Sequence, residues 1–167
     1  MLIIFGGLPG TGKTTIARDL AQQIDATHVR IDSIEQALRQ SGVSVVAHGY
    51  RVGYAVAEDN LRLRHTVVAD SVNPLEITRV AWRDVANRAA VRAVEVEVIC
   101  SDVAEHRRRV ENRHADVEGL QLPTWEEVLA RDYQVWEGQH LVIDTARLTI
   151  GDAVATIRET LGPDRRQ

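Results

Sequence analysis

Nine residues near the start of the chain, Gly7-Leu8-Pro9-Gly10-Thr11-Gly12-Lys13-Thr14-Thr15, restrict its fold more than any other stretch. They fit G-x-x-x-x-G-K-[ST], with an apolar run from Met1 to Phe5 before them and a helical pattern behind. The glycines let successive backbone N–H groups curl round an anion at a helix N-terminus, where no Cβ stands in the way. Lys13 can reach the β- and γ-phosphates of a nucleotide, and the Thr14 hydroxyl can ligate Mg²⁺. A glycine-rich stretch can also be a plain turn. Two features argue otherwise: the strand–loop–helix setting, and the fact that Lys13 is the only lysine in the chain. A chain that uses arginine at every other basic position has kept the slim ammonium where a phosphate cradle needs it.

The rest of the chain alternates short apolar strands with helical patterns. Residues 1–6 read as a buried first strand, and Ile16, Leu20 and Ile24 repeat at helical spacing behind it. A second strand is expected at about 27–31, a third at 66–70, a fourth at 94–100 and a fifth at 141–143. Gly42 should end the helix after the second strand, and residues 43–54 look like a loop or broken helix. Asn73-Pro74 reads as N-cap and first residue of a helix; Asp102 and Thr124, each with Glu three residues on, read as capping boxes. The last helix runs from Thr149 to Leu161, and the polar tail from Gly162 is expected to fray. Strands separated by helices predict an α/β fold, a five-stranded parallel sheet between helices on both faces. At 167 residues, one domain spanning 1–167 is expected.

Ligands of such sheets gather at the carboxyl ends of the strands, where the P-loop, Asp32 and Asp70 would share a rim. Asp70 closes an apolar strand, the place for a carboxylate that organises Mg²⁺, although it could also be a turn residue. Asp32 could cap a helix with Glu35. If Ser33 and Gln36 cap it instead, Asp32 is free to accept the proton of an attacking hydroxyl. His106, Arg107, Arg108, Arg109 and Arg113 crowd one helix end ahead of a polar segment closed by Pro123. Such a cluster is either a solvated basic face or, as preferred here, an arginine-bearing lid over roughly 107–124 that closes on the transferring phosphate. Arg51 and Arg79 could bind an acceptor or face water. Trp82, Trp125 and Trp136 fall at helical positions and are expected to pack rather than stack on bases.

Composition removes several classes. A formal net charge of −4 disfavours a nucleic-acid surface. No apolar stretch approaches the roughly 20 residues of a membrane span. The single cysteine, Cys100, allows no internal disulfide and sits in an apolar run, so a buried inert thiol and a cytoplasmic setting are expected.

The whole pattern resembles the small P-loop kinases: gluconate, shikimate and adenylylsulfate kinases, chloramphenicol phosphotransferase, 5′-hydroxyl polynucleotide kinases and AAA_33-type P-loop ATPases and kinases. GLPGTGKTT, the Asp32-Ser33 helix start, the strand ending Asp70-Ser71, the Arg109-Val110-x-x-Arg113 run and the closing LVIDT strand carry the likeness. It implies a three-layer α/β/α P-loop NTPase fold with strand order 2-3-1-4-5. Gly10, Thr11, Gly12, Lys13, Thr14 and Thr15 would bind the triphosphate, with Thr14 and Asp70 at Mg²⁺. Asp32 would orient or deprotonate the acceptor hydroxyl. Arg109 or Arg108 would lie over the adenine, and Arg113 would reach the phosphate. The chain lacks the glycine-rich triplet of shikimate kinases after strand three, where Asp70-Ser71-Val72-Asn73-Pro74 stands. It also lacks the GD pair of gluconate kinases; Arg30-Ile31-Asp32-Ser33 is closer to chloramphenicol phosphotransferase or polynucleotide kinase. The expectation is an ATP- and Mg²⁺-dependent kinase of a small hydroxyl-bearing molecule, acting as monomer or homodimer, with residues 32–64 on the acceptor side. The alternatives are a 5′-hydroxyl kinase of nucleic acid and an ATPase or nucleotide switch.

Overall fold

The structure, a computed structural model, describes residues 1–45 and 48–162. Its centre is strand β1 (Leu2–Gly6), every residue of which is buried. Two-residue periodicity sends its side chains to opposite faces of the sheet. Ile3 and Phe5 pack with Ile16, Leu20, Val96, Ile143 and Ile157 on one face, and Leu2 and Ile4 pack with Val29, Leu61, Trp82 and Val85 on the other. A strand covered on both sides must be apolar at every position, which is why this run carries no alternation.

β1 pairs in parallel with β3 (Val67–Asp70) and β4 (Ala93–Ile99); β2 (Thr27–Arg30) and β5 (Leu141–Asp144) form the edges. The order is β2-β3-β1-β4-β5, as the resemblance implied. Helices α1 (Lys13–Gln23) and α7 (Ile150–Leu161) cover one face. The other is covered by α3 (His48–Arg62) and α4 (Glu76–Arg88), with α2 (Ile31–Gln40) against α3. This is the three-layer α/β/α arrangement. Helices α5 (Val103–Asn112) and α6 (Trp125–Leu129) flank the segment expected as a lid. Among the described residues no helix is long and apolar enough to cross a membrane.

Several local expectations hold. Asp102 accepts from Glu105 N, and Thr124 and Glu127 form a complete capping box. Cys100, Trp82, Trp125 and Trp136 are buried, although Trp136 lies between α6 and β5 rather than at a helical position. Others need correction. The stretch read as aperiodic is helical from His48, the two residues before it lying outside the described residues. Its Tyr50 and Tyr54 pack on α4 and the sheet, with Tyr54 edge-on to Trp82, and that tertiary contact outweighs two helix-weakening glycines. Asn73 is not a helix cap. It has φ +47°, its amide donates to Phe5 O at 2.7 Å, and α4 begins only at Glu76 behind Leu75. The tail beyond Gly162, expected to fray, lies outside the described residues.

Candidate functional site

β1 ends on the loop Gly7–Gly12, and α1 starts at Lys13. Gly12 is the N-cap at φ +90°, with no side chain capping the helix, and Gly10 stands at φ +86°. Left-handed backbone at both positions turns N–H groups toward one centre, and the uncapped helix end adds its dipole. The Lys13 side chain is buried against this loop.

The loop is held from several sides. Gly7 N donates to Val72 O, and the Asn73 amide grips β1 below. Above, His106 Nε2 lies 2.8 Å from Pro9 O, with its ring edge-on to Trp125 at 5.1 Å. Thr145 Oγ1 reaches Thr11 O at 2.8 Å and accepts from Arg109 Nη1 at 2.8 Å. Asn73, His106 and Thr145 thus position the phosphate loop, and none was singled out for that from sequence. His106 was read with the basic cluster, and nothing local in the chain marks it as different.

Asp70 lies opposite Phe5 in β1 and Arg30 in β2. Its carboxylate is 1% exposed, and neither oxygen has a hydrogen-bond partner within the chain; His28 Nε2 stands 3.4 Å away. Burial pushes this carboxyl up, but His28, the Lys13 ammonium and the Thr14 hydroxyl outweigh it and hold it below the usual carboxylate range. An anionic, dry carboxylate beside a threonine hydroxyl suits a hard divalent cation. Among the described residues no three His, Cys, Asp or Glu side chains cluster as a metal cage. That fits Mg²⁺, which keeps waters and phosphate oxygens as its other ligands.

Asp32 sits in the first turn of α2 rather than capping it, because the helix already begins at Ile31 with Arg30 as N-cap. Neither capping scheme read from the sequence forms, and the carboxylate is left 38% exposed. It borders a cavity of about 380 Å³ whose other walls include Lys13, Thr14, Arg109, Arg113 and Asp116. Arg113 is half-buried with its Nε–H unpartnered. Burial pulls its guanidinium down from the usual range, and the field of Asp32 opposes that. From the far side, Asp116 reaches over to Arg18 and Arg30, and Glu118 O accepts from Gln36 Nε2 at 3.2 Å. The segment after Arg113 therefore lies across the cavity mouth.

The arginines divide by burial. Arg109 lines the cavity, while Arg108 points into solvent on Glu105, which the two arginines hold down to about 2. Arg51 is exposed on α3 and does not line the cavity. Arg79 neither faces water nor lines the cavity. It is buried, bonded to Glu76, Asn73 O, Gln134 O and Val135 O, with its guanidinium 5.0 Å over Trp136. Arg18 and Arg30 also line the cavity beside Asp32, and sequence reasoning selected neither.

A family model for AAA_33, an AAA domain, matches residues 2–133, and the chain belongs to that family. No curated protein matches the chain. Solved structures share its fold at low identity. A gluconokinase from Sinorhizobium meliloti aligns at TM-score 0.65 and 14% identity, covering 95% of this chain and 94% of its own. The Mycobacterium tuberculosis APS kinase CysC, in complex with AMPPNP and APS, aligns at TM-score 0.69 and 15% identity, covering 97% of each. Chaetomium thermophilum Kti12 with ADP-AlF3 aligns at 0.70 and 20%, covering 98% of this chain and 100% of its own.

Proposed function

We propose that the chain is a single-domain ATP-dependent phosphotransferase that moves the γ-phosphate to a hydroxyl of a small molecule. One observation carries the reading: Asp32, free of any capping duty, borders the same cavity as Lys13, Thr14 and Arg113. The fold shared with structures holding AMPPNP or ADP-AlF3 supports nucleotide as the ligand of the loop.

The residues divide the work. The loop amides and Lys13 hold the β- and γ-phosphates, and Arg109 lies where it can cover the base. Thr14 and Asp70 would hold Mg²⁺, which would supply positive charge against the phosphates of the nucleotide. Asp32 accepts the acceptor's hydroxyl proton and keeps its oxygen in line. That oxygen bonds to the γ-phosphorus as the bond to the bridging oxygen breaks and ADP leaves. Arg113, on a lid over about 107–124, adds positive charge at the equatorial oxygens, and closure excludes water.

The test is ATP turnover across a panel of small hydroxyl compounds. Asp32→Asn should keep nucleotide affinity and lose about 10²- to 10⁴-fold in transfer, the usual worth of a general base. Lys13→Ala should lose nucleotide binding itself. Wild-type transfer by Asp32→Asn removes Asp32 from the mechanism. Rapid ADP release with no acceptor present would favour the nucleotide switch instead.

A further inference from the structure

Asp116 does more than close a loop. Arg30 holds its two oxygens in a fork, Nη1 to Oδ2 at 2.7 Å and Nη2 to Oδ1 at 2.8 Å, and Arg18 Nη2 adds a third bond to Oδ2 at 2.6 Å. The three residues come from the end of β2, the outer face of α1 and the lid, 86 and 98 residues apart in sequence. A paired fork of this kind is the geometry by which arginine recognises any carboxylate or phosphate. The Arg30 side chain is 12% exposed, and its Nε–H has no partner, as is true of Arg113 Nε nearby. Burying a guanidinium is costly, and a surface loop does not require it.

The position is telling. Arg30 Nη2, which holds Asp116 Oδ1, is also 3.7 Å from Asp32 Oδ2. The anion site and the carboxylate assigned to the acceptor hydroxyl are therefore one guanidinium apart. Arg18, Arg30 and Asp116 also form the wall between the site cavity and a second one of about 490 Å³ beside β2, α2 and α3.

We propose that Arg18 and Arg30 form an anion subsite for the acceptor, filled by the lid's own Asp116 until the acceptor's anionic group displaces it. The acceptor is then a small hydroxyl compound carrying a carboxylate or phosphate a few bonds from the reacting oxygen. The inference rests on the kinase reading of the site and narrows it to a substrate class. Asp116 acts as a built-in competitor, so the lid is latched while the acceptor is absent.

The test titrates inorganic phosphate and, separately, acetate into the full chain loaded with Mg-AMPPNP, so that the γ-phosphate position is filled. Asp116→Asn should bind one of these anions about tenfold more tightly than the wild-type chain, as expected for a subsite latched about nine-tenths of the time. Arg30→Gln, and independently Arg18→Gln, in the Asp116→Asn chain should abolish that gain. A preference for phosphate or for acetate assigns the acceptor's group. Equal affinities in all four chains overturn the proposal and leave the arginines as lid fasteners. It is also overturned if AMPPNP abolishes anion binding, since the pair would then hold the γ-phosphate. AMPPNP affinity in the same titrations shows that each variant is folded. Acceptor-independent ADP release would sink the kinase reading while leaving these anion affinities as they stand.

Discussion

Replacing Arg79 by methionine should cost about 2–5 kcal/mol of folding stability, the loss expected for orphaning a buried carbonyl and removing a cation from an aromatic face. The guanidinium donates to Glu76 Oε2 at 2.8 Å, Asn73 O at 3.2 Å, Gln134 O at 3.1 Å and Val135 O at 3.1 Å. Methionine fills much of the stem, so little cavity is left. Gln134 and Val135 are exposed and their carbonyls can rehydrate, but Asn73 is fully buried; its orphaned carbonyl accounts for about 1–3 kcal/mol. The stack on Trp136 adds about 0.5–2 kcal/mol. Glu76 loses little, because Arg83 still holds it. Arg79→Lys should recover less than half, since one ammonium cannot reproduce a planar fork aimed at four acceptors. Urea unfolding at pH 7 reads the loss as a lower midpoint at unchanged m. A loss below about 1 kcal/mol would refute this accounting. So would full stability with a raised KM for the acceptor, because Arg79 would then be a binding residue after all.

Two further outcomes follow from contacts around the site. A Cβ added to Gly6 would fall inside the Trp136 indole and 3.2 Å from Asn73 Cβ, so Gly6→Ala should lose about 1–3 kcal/mol by overpacking and lower Tm by several degrees. Trp136→Leu in the same chain should restore part of that in a thermal melt; an unchanged Tm for Gly6→Ala alone would contradict the packing. Asp116 is held far below the usual carboxylate range, first by its bonds to Arg30 and then, against burial, by Arg18. A depressed carboxyl stabilises the fold above its unfolded pKa of about 3.9 and loses that contribution as pH falls toward the folded value. The stability gap between wild type and Asp116→Asn should therefore be full at pH 6 and close below pH 4. A gap constant down to pH 3 would show that the latch is not ionic.

The loop and the sheet were legible because their causes are local. A glycine-rich cradle needs particular residues at fixed offsets, and a doubly covered strand needs apolar residues throughout, so both leave marks within ten positions. Asp70 was legible for the same reason, as an acid closing an apolar run. The helix at His48–Arg62 was not, because two tyrosines packing on α4 and the sheet stabilise it, a contact no window of sequence contains. Asn73-Pro74 misled in the opposite direction. The local grammar of a helix start was present, but Asn73's side chain is engaged by Phe5 O, 68 residues away.

The arginines show where sequence reading stops. Arg79, Arg30, Arg109 and Arg108 are one residue type on similar helical or strand-end positions, yet their side chains are 1%, 12%, 30% and 65% exposed. What a guanidinium does is decided by the acceptors that surround it. For Arg79 two of these come from 55 and 56 positions further on, and for Arg30 the carboxylate comes from 86. Lysine escapes this ambiguity only because there is one, inside a motif that states its partner. A chain with a single lysine and many arginines thus marks its P-loop openly and hides which arginines wall the cavity beside it. The wall at Arg30 is built from long-range pairs, and Asp116, which Arg30 holds in a fork, looks in sequence like any other acid.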